Sequence, residues 1–365
     1  MRLLILQDHL RSGGTERQSI LLANAFAAAG HATTLLTFRP GGALAGTVSP
    51  AVARSSLQSR DFGLDWFAPG LRRQVRARQP DLILLMGRMA NCLGWRLTPL
   101  APVVATMRTG KPLPAWFRRT LRASRHVVAN SREAGEHLVR THGLPPEKIA
   151  VIPNSLVFPP EMGTAAAASL RAEWRARLGT PSEARVLLCV AMFRPEKNQR
   201  ELIDIVHGLP DAPAWELWLA GDGTALSACR RRAAETGLAH RVRFPGFIAD
   251  PSALYAAADV AVHASRSEAL SNFLIEAQAH GLPVVAAAAQ GIEECFLPGE
   301  TGWMIPRGDH AAFRERLRDC LGSGTEVRAG RARAARAFAR ENFAPARQVG
   351  AYLELFARLL PSPGR

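Results

Sequence analysis

The sequence lacks the marks of several large protein classes. Its N-terminal apolar run, Leu3 to Leu6, gives way at once to Gln7, Asp8 and His9. That is too short for a secretory leader or a membrane span, so a cytoplasmic protein is expected. The five cysteines, Cys92, Cys189, Cys229, Cys295 and Cys320, are odd in number, widely scattered and without a CxxC pair. Zinc or dithiol chemistry is therefore not indicated, and reduced thiols are expected. No heptad array, short repeat or low-complexity tract is present, and neither a Walker loop nor GxGxxG occurs, which disfavours nucleotide hydrolysis and nicotinamide binding. Lysine is scarce: only Lys111, Lys148 and Lys197 occur among 46 cationic residues.

What is present is an ordinary packed composition, 47% apolar and 21% charged over 365 residues, which suits two α/β domains better than one core. Apolar runs of strand length alternate with helix-period segments, the pattern of parallel sheets covered by helices. Strands are expected near Leu3–Leu6, Thr33–Phe38, Asp81–Met86, Val103–Thr106, Val127–Asn130 and Ile149–Pro153. A second series is expected near Val186–Met192, Glu216–Ala220, Val242–Phe244, Val260–His263 and Val284–Ala286. Pro153, Pro159, Pro160 and Gly163 mark a linker. The expected division is residues 1–160, 161–343 and a C-terminal helix in 344–365, and the tail from Arg328 to Leu360 is expected to be helical with an interruption at Asn342–Pro345.

Three segments can carry chemistry. Ser12-Gly13-Gly14-Thr15-Glu16-Arg17 follows the first strand and opens a helix. Its glycines admit close backbone approach and its helix start favours an anion; the plainer alternative is a tight turn capped by Thr15. Phe193-Arg194-Pro195-Glu196-Lys197-Asn198 ends the first strand of the second series. There a guanidinium and an ammonium can clamp a diphosphate, or simply begin a solvated helix. Ser267-Glu268-Ala269-Leu270-Ser271-Asn272-Phe273-Leu274-Ile275-Glu276 sets one carboxylate on a loop and another inside the following helix. Glu276, amid apolar neighbours, needs a polar partner such as a diol, unless it is a structural salt-bridged glutamate.

Taken in order, the Gly-Gly loop, the Arg194 and Lys197 pair, Ala220-Gly221-Asp222-Gly223 and the two glutamates resemble glycosyltransferase family 4. The resemblance implies the GT-B fold: two Rossmann-like doubly wound domains facing across a cleft, with the C-terminal helix, Tyr352 to Leu360, returning to the first. It implies an acceptor on residues 1–160 and a nucleotide-sugar donor, with a UDP or GDP sugar as co-substrate, on residues 161–343. By the same resemblance Arg194 and Lys197 hold the donor's diphosphate, Glu276 the ribose, and Phe247 and Ile248 the base; the Gly13-Gly14 turn, read above as an anion site, is counted with them as donor-binding. The backbone of Ser271, Asn272, Phe273 and Leu274 adds N–H groups, and Glu268 contacts the transferred sugar. The implied mechanism is retaining, without a protein-bound metal or resident cofactor. Two positions depart from the family pattern. Ala269 replaces a frequent glycine, and Arg108 stands where a histidine is often found, with a catalytic or a purely structural role open to it.

The net charge of +15 sits mostly in residues 1–155, where 21 cations face 8 acids, or +13, leaving 25 against 23, or +2. Residues 72–78 and 116–125 concentrate it, and the second run mixes aromatic and cationic residues as interfacial helices on anionic lipid do. Peripheral association with the inner face of the membrane follows if the charge is functional; a solvated arginine-rich face is the alternative. Saccharide or lipid-linked saccharide acceptors in envelope polysaccharide, lipopolysaccharide or exopolysaccharide synthesis fit such a protein. Competing assignments are another GT-B enzyme, an epimerase or phosphorylase, and a basic nucleic-acid-binding protein. The last has no supporting helix-turn-helix, finger or RRM pattern, so no specific nucleic acid is expected.

Overall fold

A computed structural model describes residues 1–11, 13–159, 163–211 and 213–360. The chain forms two compact units, Met1–Ser155 with Pro345–Arg365, and Leu156–Ala344. In the first unit β1 (Arg2–Gln7), β2 (Ala32–Thr37), β3 (Ala53–Ser56), β4 (Leu82–Leu85), β5 (Val103–Met107), β6 (His126–Ala129) and β7 (Ile149–Val151) form one sheet in the order β3-β2-β1-β4-β5-β6-β7. In the second, β8 (Arg185–Val190), β9 (Trp215–Ala220), β10 (Val242–Gly246), β11 (Val260–His263), β12 (Val284–Ala287) and β13 (Gly302–Ile305) follow the order β10-β9-β8-β11-β12-β13. All named pairings are parallel. Parallel sheets are covered on both faces, which is why their central strands read as unbroken apolar runs. Leu3–Leu6, Leu82–Leu85 and Leu217–Leu219 are at most 2% exposed.

Both sheets reverse their order of winding once, between β1 and β4 and between β8 and β11. Open parallel sheets bind ligands in the crevice at the carboxyl ends of strands beside such a reversal. Two strands, β3 and β13, are absent from the sequence-based expectation. Both lie at sheet edges, and β3 (Ala-Arg-Ser-Ser) is half exposed, so neither needs the apolar run that marks a central strand.

The units divide five residues before the expected boundary, at Ser155–Leu156. Leu156 is buried in the second unit's core and its N–H donates to Phe343 O at 3.0 Å. At the other end, Ala344 is extended (ψ 135°), as a residue before proline prefers, and separates the helices Thr325–Phe343 and Pro345–Leu359. The last helix packs within the first unit. Tyr352 and Phe356 set their rings 6.2 and 5.6 Å from that of Phe26. Gln348 donates to Gln18 Oε1 (3.0 Å) and accepts from Ser155 Oγ (2.7 Å). Among the described residues no helix is long and apolar enough to cross a membrane.

Candidate active site

The second unit's reversal point gathers its charged loops. After β8 the chain runs through Phe193 and Arg194 into a turn at Pro195–Lys197, then through Asn198, at φ 55°, into the helix Gln199–Val206. This loop is braced by the glycines that follow β9. Gly221 and Gly223 have φ of 139° and 144°, and a Cβ on either would lie 2.0 Å from Ala191 O or 2.5 Å from Phe193 O. Glycine is therefore required where the two loops pack backbone to backbone. After β11 the chain reaches Glu268, whose loop is tied to the first by Arg266 N–H donating to Glu196 O at 2.8 Å and Ser265 Oγ–H to the same oxygen at 3.1 Å.

These ties bring Lys197 Nζ to 2.6 Å from Glu268 Oε1, and His263, closing β11, sets its Nε2 3.0 Å from the same oxygen. The His263 side chain is buried and its Nδ1 has no partner among the described residues. With a carboxylate opposite, Nε2 is the nitrogen that carries the proton and donates. Burial pushes the Glu268 carboxyl up, but Lys197 and His263 outweigh it and hold the group at about 2. The result is a buried, ionised carboxylate fixed by two donors. Arg194 is exposed, 3.4 Å from Met192 Sδ, and pairs with no carboxylate among the described residues.

Ser271 precedes the helix Asn272–Ala279 but makes no side-chain cap. The first helical bond, Ile275 N–H to Ser271 O at 3.2 Å, leaves the N–H groups of Asn272, Phe273 and Leu274 without intrahelical acceptors. Glu276 lies one turn further on, where Tyr255 O–H donates to its Oε2 at 2.6 Å. The Tyr255 ring stacks on His280 at 4.6 Å, and His280 Nδ1–H donates to Glu276 O at 2.9 Å. A tyrosine hydroxyl is thus one polar partner of this carboxylate. Phe247 is 53% exposed just beyond β10, while Ile248 packs against the second unit's core.

The predicted residues of the first unit have different surroundings. Gly13, not Thr15, precedes the helix Gly14–Ala28, with no side-chain cap. A Cβ on Gly13 would meet Glu16 Oε2 at 2.4 Å, so the chain's own carboxylate lies beside the glycine turn where an external anion was expected. Arg108, after β5, does not stand free either. It donates to Asn154 Oδ1 and lies beside the Tyr352 hydroxyl of the last helix, with its Nη1 buried. Burial lowers its pKa, and Tyr352 opposes that shift.

Three residues of interest escaped the sequence. His263 ends an otherwise apolar strand, the one local clue to it. Tyr255 lies 21 positions from Glu276 and has no local signal. Asp8 follows β1, and its carboxylate accepts from Met89 N–H (2.9 Å) and Ala90 N–H (2.8 Å) at the start of the helix after β4. Burial pushes its pKa up to about 6 against those two bonds. A Cβ on Gly87 would fall 2.1 Å from Asp8 Oδ1, so the glycine makes room for this carboxylate at the first unit's own reversal point.

Two family models match the chain, Glycosyltransferase Family 4 over residues 12–156 and Glycosyl transferases group 1 over residues 171–338. The lipopolysaccharide core biosynthesis glycosyltransferase LpsE of Rhizobium meliloti (strain 1021) is 29% identical over 311 residues, covering 83% of this chain and 84% of that protein. The D-inositol 3-phosphate glycosyltransferase of Thermomonospora curvata is 33% identical over 211 residues, 53% of this chain and 48% of the relative, so the match spans about half of that protein. Anabaena Alr3699/HepE, solved in complex with UDP-glucose, matches with a TM-score of 0.80 at 24% identity over 98% of this chain and 99% of that one. Two doubly wound parallel units with this likeness define the GT-B fold. The chain belongs to glycosyltransferase family 4, the group 1 glycosyltransferases.

Proposed function

We propose that this chain is a retaining glycosyltransferase that moves a sugar from a UDP- or GDP-linked donor to a saccharide or lipid-linked saccharide acceptor in cell-envelope polysaccharide or lipopolysaccharide synthesis. The UDP-glucose bound by the Anabaena neighbour and the lipopolysaccharide core assigned to LpsE support the donor and acceptor classes. The observation that carries the proposal is the ionised Glu268 held between Lys197 and His263 at the reversal point of the second sheet.

In this account Arg194 grips the diphosphate bidentately, and Lys197, with three donors, serves phosphate and Glu268 together. The first-turn N–H groups of the helix Asn272–Ala279 add to the positive field. Glu276 takes the ribose hydroxyls, and Phe247 and Ile248 flank the base. The bond from anomeric carbon to phosphate oxygen breaks as the acceptor oxygen bonds to that carbon on the same face. The acceptor's proton passes to the departing phosphate. Glu268 orients the sugar hydroxyls and supports positive charge at the anomeric carbon. The cations carry the leaving group's charge, so the proposed reaction needs no divalent ion and keeps its rate in EDTA. Arg108 acts as a positioning residue, holding the loop after β5 against Asn154.

Peripheral membrane association rests on the helix Ala115–Ala123. Trp116 is 56% exposed beside Arg118, Arg119 and Arg122, stacked on Trp95 at 5.7 Å, and Arg119 lies 3.6 Å over the Trp95 ring. The test of the donor assignment is a panel of UDP and GDP sugars screened by thermal shift. At least one should stabilise the wild type and lose its effect in Lys197→Ala; stabilisation by none contradicts the proposal.

A further inference from the structure

At the amino ends of β5, β6 and β7, the opposite end of the first sheet from its reversal-point loops, the surface opens into a groove of about 1180 Å³. Its lining includes Arg125, His126, Lys148 and Arg358, with Glu147 the one carboxylate among them, and apolar surface from half-buried residues such as Leu100 and Leu359. Lys148 Nζ is fixed, donating to Arg122 O at 2.6 Å. Arg125 and Arg358 make no ion pair or side-chain hydrogen bond among the described residues. Arg125 and Arg358 are exposed and Lys148 is half-buried, and all three line this one space; after burial itself, their charges hold the nearby His126 imidazole below its ordinary pKa. They line a concave space wider than a single phosphate and comparable with ligand pockets of about 300–1,000 Å³.

We propose that this groove is a second binding site, for a ligand bearing more than one phosphate group, held by Arg125, Lys148 and Arg358. Guanidinium groups offer paired donors matched to phosphate oxygens, while the ammonium adds a fixed point charge. The neighbouring apolar lining accommodates the carbon skeleton of a phosphate ester. Arg194 and Lys197 belong to the other unit, and the groove does not depend on the donor assignment made above.

Calorimetric titration of the full chain with pyrophosphate at low salt tests it. The wild type should take up two equivalents, Arg194→Ala/Lys197→Ala should keep one, and Arg125→Ala/Arg358→Ala should keep the other. In the groove variant the lost event should weaken at least tenfold, and Arg125→Gln/Arg358→Gln, which keeps side-chain bulk, should behave alike. Unchanged binding in both groove variants overturns the proposal. So does an equal loss in Arg72→Ala/Arg73→Ala, which removes two exposed cations from elsewhere in the unit. If only the event sensitive to Arg194 and Lys197 is missing, the donor assignment fails and the groove stands. Sedimentation with cardiolipin vesicles, which carry two phosphates per lipid, in a Trp116→Ala/Arg119→Ala background separates the sources of phosphate. Vesicle binding lost with pyrophosphate binding assigns a lipid headgroup, and vesicle binding kept while pyrophosphate binding is lost assigns a soluble phosphate ester.

Discussion

Replacing Lys197 with alanine removes an ammonium 2.6 Å from a carboxylate whose side chain is 9% exposed. Breaking a fully buried ion pair costs about 3–5 kcal/mol because the remaining charge is stranded. Here the lysine side chain is 27% exposed and His263 still donates to Glu268, so screening and the retained bond reduce the expected cost to about 2 kcal/mol. For a unit of this size that lowers the melting temperature by about 4–8 °C. The pH dependence supplies a second readout. In the wild type Glu268 is held at about 2, below its ordinary value of 4.5. Its contribution is fully present above 4.5 and is lost as pH falls through about 2. Without Lys197, burial is the leading influence and raises the folded-state pKa, so the variant's deficit should be large at pH 7 and narrow toward pH 4. Adding Glu268→Gln should recover about half of the loss at pH 7, since the stranded charge is gone. Thermal melts across pH 4–7 decide the matter. A Lys197→Ala melt within a degree of wild type, or a deficit independent of pH, would refute the reasoning.

Gly221→Ala forces a Cβ to within 2.0 Å of Ala191 O at φ 139°, and should cost about 3 kcal/mol in urea unfolding; an unchanged midpoint contradicts the backbone packing described. Asp8 has its folded pKa raised to about 6 from 3.8. Its contribution is therefore full below 3.8 and lost as pH rises through about 6, a change of about 3 kcal/mol. Asp8→Asn should flatten the stability profile between pH 4 and 7, and an unaltered slope there rules out a buried titrating carboxylate. Trp116→Ala with Arg119→Ala should reduce retention on anionic vesicles several-fold, and retention in the wild type should fall as salt rises. Salt-independent retention would remove the charged helix from the account.

The sequence disclosed the sheets where burial on both faces demands continuous apolar strands, as at Leu3–Leu6 and Val284–Ala286. It concealed β3 and β13 because an edge strand has no such demand. The break before Pro345 was legible because it is local, imposed by the proline on Ala344. The glycines of Gly221-Asp222-Gly223 were visible, but their reason was not: the carbonyls they avoid, Ala191 O and Phe193 O, are contributed by another strand's loop. Lys197 and Glu268 were read as separate members of one site. Their direct pairing across 71 positions depends on β8 and β11 being neighbours. His263 and Tyr255 were missed for the same reason, since each is defined by the glutamate it meets. At Gly13 the glycine turn was visible, but not that the Glu16 carboxylate, three residues on, lies against it.

The most direct test of the central claim is the anomeric configuration of the first product, followed by proton NMR with the donor sugar that the thermal screen identifies. The account predicts release of a nucleoside diphosphate, transfer with the donor's own configuration, and loss of that transfer in Glu268→Gln. An inverted product, or full activity in Glu268→Gln, would contradict it.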